Sequence, residues 1–402
     1  MATIAVLGTF DTKGDEHGYV AALIRERGHQ VLLVDVGTLD APKLVADIGP
    51  DVVARAAGAD LAALVARRDR GEAMTVMSKG APIVLAELQQ AGRIDGVISL
   101  GGGGGTAICT AAMRALPVGF PKLMVSTLAS GNTAPYVGVK DIVMMPSVVD
   151  VAGLNRLSRL LLAQAAGAIC GMVEAKVPAG ATDKPVIVAS QFGNTTPCVT
   201  HARQLLEEAG FEVMIFAATG TGGRTLESLV ESGIVSGVLD ITTTEWADEL
   251  VGGVLTAGPT RLDAASKRGV PAIVTPGCLD MVNFGEPASV PEKYRGRKFY
   301  HHNPQVTLMR TNPEECARLG AILAEKCNQS TGPVTVLIPL GGISVISAPG
   351  QPFHWPEADA ALFSEWKKHL RPDIRVVEYP GNINDPEFAA LCVRELLANL
   401  KP

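Results

Sequence analysis

The chain is expected to be an α/β protein of two open parallel-sheet subdomains, residues 1–180 and 181–402, facing each other across an interdomain cleft. Three observations predict this. Short apolar runs alternate with amphipathic helical stretches over most of the 402 residues, the grammar of βαβ units. Hydrophobic residues make up 47% of the chain but aromatics only 4%, and Ala, Val, Leu and Gly abound, as in strands buried on both faces. The opening unit also restarts: set against residues 186–213 without gaps, Ile4 falls on Val186, Phe10 on Phe192, Gly28 on Gly210 and Val31 on Val213. Each half therefore reads as a Rossmann-like sheet.

In order, residues 4–7 are the first strand, followed by a loop TFDTKGDE and an amphipathic helix that Gly28 ends. Residues 60–70 and 74–91 are helices separated by a loop at 69–72. Residues 96–100 are a short buried strand, and 106–116 a helix of small and apolar residues. Strands at 121–126 and 141–145 and a long helix at 155–176 close the first half. Pro, Gly and small polar residues at 177–185 mark a linker. The second half opens with a strand at 186–190, a helix at 198–209 and a strand at 212–217. Residues 276–304 read as a long irregular region, and strands at 335–340 and 374–379 with a last helix at 386–400 complete it.

The chain is organised around Gly101, Gly102, Gly103, Gly104 and Gly105, which with Thr106 join a strand to a helix. Glycine permits φ > 0 and close approach to a ligand, and the free amides and dipole of the helix start favour negative charge. The run therefore predicts a phosphate or carboxylate site. It lacks the GK[ST] of a Walker A loop and the spacing of a dinucleotide fingerprint, so it specifies an anion and not which one.

Other loops at strand ends carry candidate chemistry. Lys13 can meet a phosphate as a point charge, and Asp11 can hold a metal or a ribose hydroxyl; the alternative is an exposed loop with N-capping acids. Thr127, Ser130 and Asn132 offer hydroxyls and an amide for a ligand or a magnesium hydrate, or form an ordinary turn. In the second half the candidate catalytic groups are Asp240, Glu245, Cys278, Asp280 and His302. Cys278 is read as a nucleophile with a histidine base or as a buried, inert thiol. His301 and His302 lack a recognised metal spacing, and Arg310 is read as a clamp on an anionic ligand.

The net charge of −6 argues against general nucleic-acid binding. Seven scattered cysteines without CxxC point to a reducing cytoplasm rather than to disulfides. The N-terminus begins on a strand with no leader pattern, and the most apolar stretch, 160–173, is read as a buried helix too short to span a membrane.

GTFDTKGDE, SLGGGGGT, STLASGNT, DIVMMPSVVDVAGLN, FGNTTPCV, ATGTGGRTLE, DITTTE, PGCLDMVNFG and HHNPQVTLMRT together resemble the ATP-binding domain family first known as the N-terminal part of the tomato mosaic virus resistance protein. The resemblance implies ATP, with Mg2+, bound by the first subdomain. It makes the glycine run, Thr127, Ser130, Gly131, Asn132, Asp11 and Lys13 nucleotide candidates. The chain ends at Pro402 without the barrel-like second domain of the plant protein, so an antiviral role is not expected. The expected function is an ATP-using enzyme acting on a small polar or carboxylated metabolite. The alternatives are a nucleotide-sensing or partner-binding module without turnover and, third, an NAD-dependent oxidoreductase. A homo-oligomer, a homodimer by base rate, is expected.

Overall fold

Both halves of the chain are built on parallel sheets. A computed structural model describes residues 1–176 and 184–401; the chain divides into two units, Met1–Gly180 and Ala181–Pro402. Most of the linker read at 177–185 lies outside the described residues.

In the first unit the elements follow as β1 (Thr3–Gly8), α1 (Phe10–Glu26), β2 (Gln30–Asp35), α2 (Pro50–Ala56), α3 (Leu61–Arg67), α4 (Arg70–Gln90), β3 (Gly96–Gly101), α5 (Gly103–Arg114), β4 (Lys122–Ser126), α6 (Ala134–Val137), β5 (Val143–Pro146) and α7 (Arg156–Glu174). The five strands pair in parallel in the order β2-β1-β3-β4-β5. Alternation splits the strands between two cores. Ala5, Leu7 and Val97 pack with Val53, Ala81 and Ile108 of α2, α4 and α5. Ile4, Val6, Ile98 and Leu100 pack with Val20 and Ile24 of α1 and Leu162 and Ile169 of α7. The chain runs from β1 outward to β2 and then back across β1 to β3, so the order reverses between β1 and β3. Ligands of open α/β sheets bind beyond the carboxyl ends of the strands at such a reversal.

The second unit contains β6 (Val186–Gln191), α8 (Thr196–Glu208), β7 (Glu212–Ala217), α9 (Thr221–Glu231), β8 (Val235–Thr242), α10 (Glu245–Val251), α11 (Asp263–Arg268), β9 (Ala272–Gly277), β10 (Met281–Phe284), β11 (Phe299–Asn303), β12 (Val306–Arg310), α12 (Pro313–Asn328), β13 (Val334–Pro339), α13 (Pro356–His369), β14 (Arg375–Tyr379) and α14 (Pro386–Asn399). Its parallel sheet runs β7-β6-β8-β9-β13-β14, which repeats the order of the first sheet and adds one strand. The echo of Ile4 on Val186 and Val31 on Val213 thus reflects equivalent first and second strands.

Several expected elements are corrected. The helix read at 106–116 begins at Gly103, so three glycines of the run are helical. The loop TFDTKGDE is the start of α1, broken only by Lys13 at φ −130° and ψ 29°. The loop read at 69–72 is the first turn of α4, because the Asp69 carboxylate accepts from the Glu72 amide and caps it. The irregular region at 276–304 supplies β10 and β11 of a three-stranded antiparallel sheet, β10-β12-β11. Its short strands and frequent polar residues hid the period of two. The stretch read as too short to span a membrane lies in α7, which has 19 residues and the length and apolarity of a span. Its Leu162, Ala165, Ala166 and Ile169 are nevertheless core residues of the first unit.

One glycine sets how closely α4 packs on α2. Gly80 lies inside α4, where a Cβ would stand 2.0 Å from the Val53 carbonyl oxygen of α2. Helix propensity alone would make Gly80→Ala stabilising by about 1 kcal/mol. The steric conflict reverses the sign, and a loss of about 2 kcal/mol or more is expected in urea unfolding. A gain in stability would show that α2 and α4 do not pack this closely.

Candidate functional site

Beyond the strand ends at the β1/β3 reversal lies a cavity of about 220 Å³. Its walls come from Thr9, Asp11, Thr12 and Lys13 after β1, and from Val36, Thr38 and Leu39 after β2. Arg70, Ala73 and Met74 of α4, and Gly102, Gly103, Gly104, Gly105 and Ile108 after β3, complete it. Two stretches predicted from sequence, the glycine run and Asp11 with Lys13, therefore meet in one place.

The glycines are not there for positive φ, contrary to the sequence expectation, since none of the five adopts it. Gly101 is needed for packing, because a Cβ would lie 3.1 Å from the Gly105 Cα. Gly102, Gly103 and Gly105 differ. A Cβ at Gly103 meets nothing within 4 Å, at Gly102 only the Thr127 hydroxyl at 3.8 Å, and at Gly105 only the Leu100 carbonyl at 3.7 Å. Neither backbone conformation nor internal packing demands glycine at these positions. The side chains they omit would stand in the space beside the start of α5.

That helix start is open. Gly102 is its N-cap and supplies no side-chain acceptor. The Gly102 carbonyl accepts from the Thr106 amide at 2.9 Å, while the amides of Gly103, Gly104 and Gly105 find no acceptor among the described residues. Orphan amides of this kind are a ready anion site. The starts of α1 and α9 are closed by the protein's own carboxylates, while those of α2, α10 and α13 have no side-chain cap. Asp35 Oδ1 accepts from the Phe10 amide at 2.9 Å, at the start of α1, and from Gly37 at 2.8 Å. Glu245 Oε1 accepts from Gly220 at 2.7 Å and Gly223 at 3.1 Å, at the start of α9.

The missed residue is Arg70. It is exposed, makes no ion pair among the described residues, and its Nη2 would lie 3.6 Å from a Cβ on Gly104. No local sequence signal marks it, because acids flank it at Asp69 and Glu72 and only the packing of α4 beside α5 brings it to the cavity. Lys13, predicted for phosphate, instead donates its ammonium hydrogen to the Val151 carbonyl. Asp11 is also engaged, accepting from Thr12 at 2.7 Å and from Leu39 at 2.8 Å, so it shapes the rim rather than presenting a free carboxylate. Thr106 is buried, with its hydroxyl 2.6 Å from that of Ser126, and supports the turn from beneath. Thr127, Ser130, Gly131 and Asn132 form an exposed turn after β4 that does not line the cavity; Thr127 alone approaches the run, at Gly102.

In the second unit the candidate catalytic groups are mostly engaged elsewhere. Asp240 was expected in a loop but is a buried residue of β8. The Arg261 guanidinium meets Asp240 at 2.6 Å, Glu245 at 2.7 Å and Glu227 at 3.1 Å. Burial alone would lower the pKa of Arg261, but these three carboxylates hold it well above its usual value. The Cys278 thiol is fully buried, and burial raises its pKa well above 9.0, which removes it as a thiolate nucleophile. His302 is exposed on β11. Arg310, read as a clamp, is buried and holds Asp359 at 2.5 Å. Asp280 is buried with one oxygen accepting from Ser344 at 2.8 Å and the other unpartnered. Burial raises its pKa to about 6, against the opposing charge of Arg310. No group of three or more His, Cys, Asp or Glu gathers to hold a metal among the described residues.

Two relationships place the chain. Models of the Uncharacterised protein family (UPF0261) match it in two parts, the N-terminal domain over residues 2–178 and the C-terminal domain over 184–400. A UPF0261 protein of Clostridium tetani is 49% identical over 395 residues, covering 98% of each chain. The ToMV resistance protein Tm-1(GCR237) of Solanum lycopersicum is 42% identical over 335 residues, which span 82% of this chain and 44% of the tomato protein. Among solved structures, UDP-N-acetylglucosamine 2-epimerase from Rickettsia bellii covers 99% of this chain and 95% of its own at 12% identity, with a TM-score of 0.24, too low for the likeness to carry an argument.

Two outcomes test these environments. His17 of α1 is fully buried; its Nδ1–H donates to the Lys13 carbonyl at 2.7 Å, and its Nε2 has no partner. Burial lowers its pKa from 6.5 to about 4. Between those values the unfolded chain binds a proton that the folded chain refuses, so stability present above pH 6.5 is lost as pH falls toward 4. The full loss is about 3 kcal/mol, with about 2 kcal/mol already gone at pH 5. Thermal unfolding at pH 7.5 and 5 should show a smaller drop for His17→Gln than for the wild type; equal drops contradict the assignment. Separately, Arg261→Met leaves the buried carboxylates of Asp240 and Glu245 and the half-buried Glu227 uncompensated and should cost more than about 3 kcal/mol in urea unfolding. A loss under about 1 kcal/mol would show the network to be open to water.

Proposed function

The chain belongs to the UPF0261 family, and we propose that its first unit binds a nucleoside triphosphate, ATP with Mg2+, at the β1/β3 crevice. One observation carries the proposal: an uncapped helix start, lined by Gly102, Gly103 and Gly105, which no internal contact requires, stands beside an arginine without an ion pair among the described residues. Backbone amides, the helix dipole and a guanidinium are the donors that phosphoryl oxygens take. The apolar residues Val36, Leu39, Met74 and Ile108 line the same cavity, which suits a ligand with a flat apolar part beyond its phosphates better than free phosphate.

The layout follows the sheet. Phosphates sit over the start of α5, and the nucleoside extends across the end of β1 toward β2. Mg2+ arrives on the phosphates, as the ion usually does, with water completing its shell. The hydroxyls of Thr9 and Thr12, 2.9 Å apart in the wall of the cavity, are the protein groups placed to meet that shell.

Once the nucleotide is bound, one reading is an enzyme that uses it on a small polar or carboxylated metabolite. A nucleotide-sensing module without turnover is the second, favoured by the engagement of Asp240 and Glu245 with Arg261 and by the burial of Cys278. Formation of ADP in the presence of a metabolite panel separates them.

Gly103→Leu tests the binding site directly. The position is exposed, has no positive φ and has empty space beside it, so the variant should fold with an unchanged thermal midpoint. The leucine would occupy the volume assigned to phosphate, and calorimetry should record a loss of ATP affinity of about 100-fold or more. Unchanged affinity in the folded variant would remove the site from the crevice.

A further inference from the structure

We propose that the outer face of α7 is an interface with a second copy of this chain, the two helices packing antiparallel about a two-fold axis.

A helix that lies on a sheet in water turns charged and polar residues away from the core. The outer side of α7 does not follow this rule. Its inner side packs Leu162, Ala165, Ala166 and Ile169 into the first unit. The opposite stripe, at helical spacing, is Leu157, Leu160, Leu161, Gln164, Ala168 and Gly171, in which Gln164 is the one polar residue. From Leu160 to Val173 the helix carries no charge on any side. Leu157 and Leu160 are 38% and 56% exposed, and only 33% of the most apolar stretch of the helix is buried.

Gly171 is an independent sign. Glycine weakens a helix interior, yet no positive φ requires it here, and a Cβ would meet nothing within 4 Å. Gly167, one turn earlier, differs, because Arg27 at the end of α1 lies 3.5 Å from its Cβ position. The room above Gly171 serves only something packed on from outside the unit.

The order of sizes along the stripe identifies that body as another α7. The large side chains, Leu157 and Leu160, stand in the first turns, and the small residues, Ala168 and Gly171, in the last turns. Antiparallel pairing centred between Ala165 and Ala166 sets Leu160 of each copy over Gly171 of the other, a large side chain above a gap. The same register brings Gln164 within reach of its own symmetry mate, where one amide donates to the other. On one flank it sets Arg156 beside Glu174 of the copy. Arg156 has no ion pair among the described residues, and Glu174 stays 61% exposed while it meets His29 at 2.9 Å. A lipid surface would use neither the gap over Gly171 nor the opposite charges at the two ends.

The paired helices have 19 residues and are about 28 Å long. Val143 of the edge strand β5 lies on the side that Met145 turns to the α7 core and is 45% exposed, so it widens the apolar surface. Such an interface is at the small end of stable ones, and a micromolar dissociation constant is expected.

Sedimentation equilibrium on the full chain tests this. The wild type should dimerise with a dissociation constant of about 10 μM or tighter. Gly171→Leu fills the space assigned to Leu160 of the copy. It should keep its helical circular dichroism and cooperative unfolding while the dimer weakens by about 100-fold or more. Adding Leu160→Ala to Gly171→Leu exchanges the two sizes and should recover about tenfold or more of that loss. Gln164→Cys, in a chain whose seven native cysteines are all buried, should form an interchain disulfide on mild oxidation. A wild type still monomeric at about 100 μM would overturn the proposal, and its flotation with phosphatidylcholine vesicles would assign the face to lipid instead. A dimer as tight in Gly171→Leu as in the wild type, or one that Gln164→Cys does not cross-link, would place the interface on another face. A double variant no tighter than Gly171→Leu would overturn the antiparallel register.

Discussion

An α-helix cannot satisfy the amides of its own first turn, and helices that follow the parallel strands of this protein meet that constraint differently. At α1 and α9 a carboxylate of the same unit, Asp35 or Glu245, takes the place an anion would occupy. At α5 no side chain does so. All three helices follow parallel strands of the two sheets; α10, which follows β8 as α5 follows β3, likewise has no side-chain cap, and its start carries no glycine run. Where the protein supplies its own anion, the helix start is a structural joint. Where it does not, as at α5, glycines without side chains leave the start open, and this is the start to which we assign the anion.

The carboxylates that close joints are also the ones that looked catalytic. Glu245 caps α9 and, with Asp240 and Glu227, surrounds Arg261 in the interior of the second unit. The local glycines fit this role: a Cβ on Gly223 would stand 2.1 Å from Glu245 Oε2, so glycine there makes room for the carboxylate. A motif that reads as a phosphate loop in one unit is, in the other, the seat of an internal ion pair. Burial without access separates the two, since reaction needs a group that a ligand can touch.

Much of this was legible in the sequence and some of it could not be. Parallel strands announce themselves as apolar runs, and TIAVLG and GVISLG fall where expected because burial on both faces leaves no polar alternation to confuse them. The strand-to-helix turn at Gly101 was equally clear. The start of α5 was misplaced because glycine has poor helix propensity, yet tertiary packing of the turn holds Gly103 and Gly104 helical. Arg70 escaped because it reaches the crevice from α4, a helix that begins 31 residues before Gly101, and only the packing of α4 beside α5 brings them together. Asp240 and Glu245 were misjudged because their partner, Arg261, sits in a stretch without any signal of its own. Polarity in a sequence does not reveal whether the charge will be paired.

The central claim is that an external anion completes the first turn of α5. Heteronuclear NMR with glycine-selective ¹⁵N labelling follows those amides one by one as ATP and Mg2+ are added. The account predicts that the resonances of Gly103, Gly104 and Gly105 move progressively and saturably, while those of Gly220 and Gly223, already bonded to Glu245, stay in place. Saturable movement elsewhere in the chain, with Gly103, Gly104 and Gly105 unmoved, would contradict it.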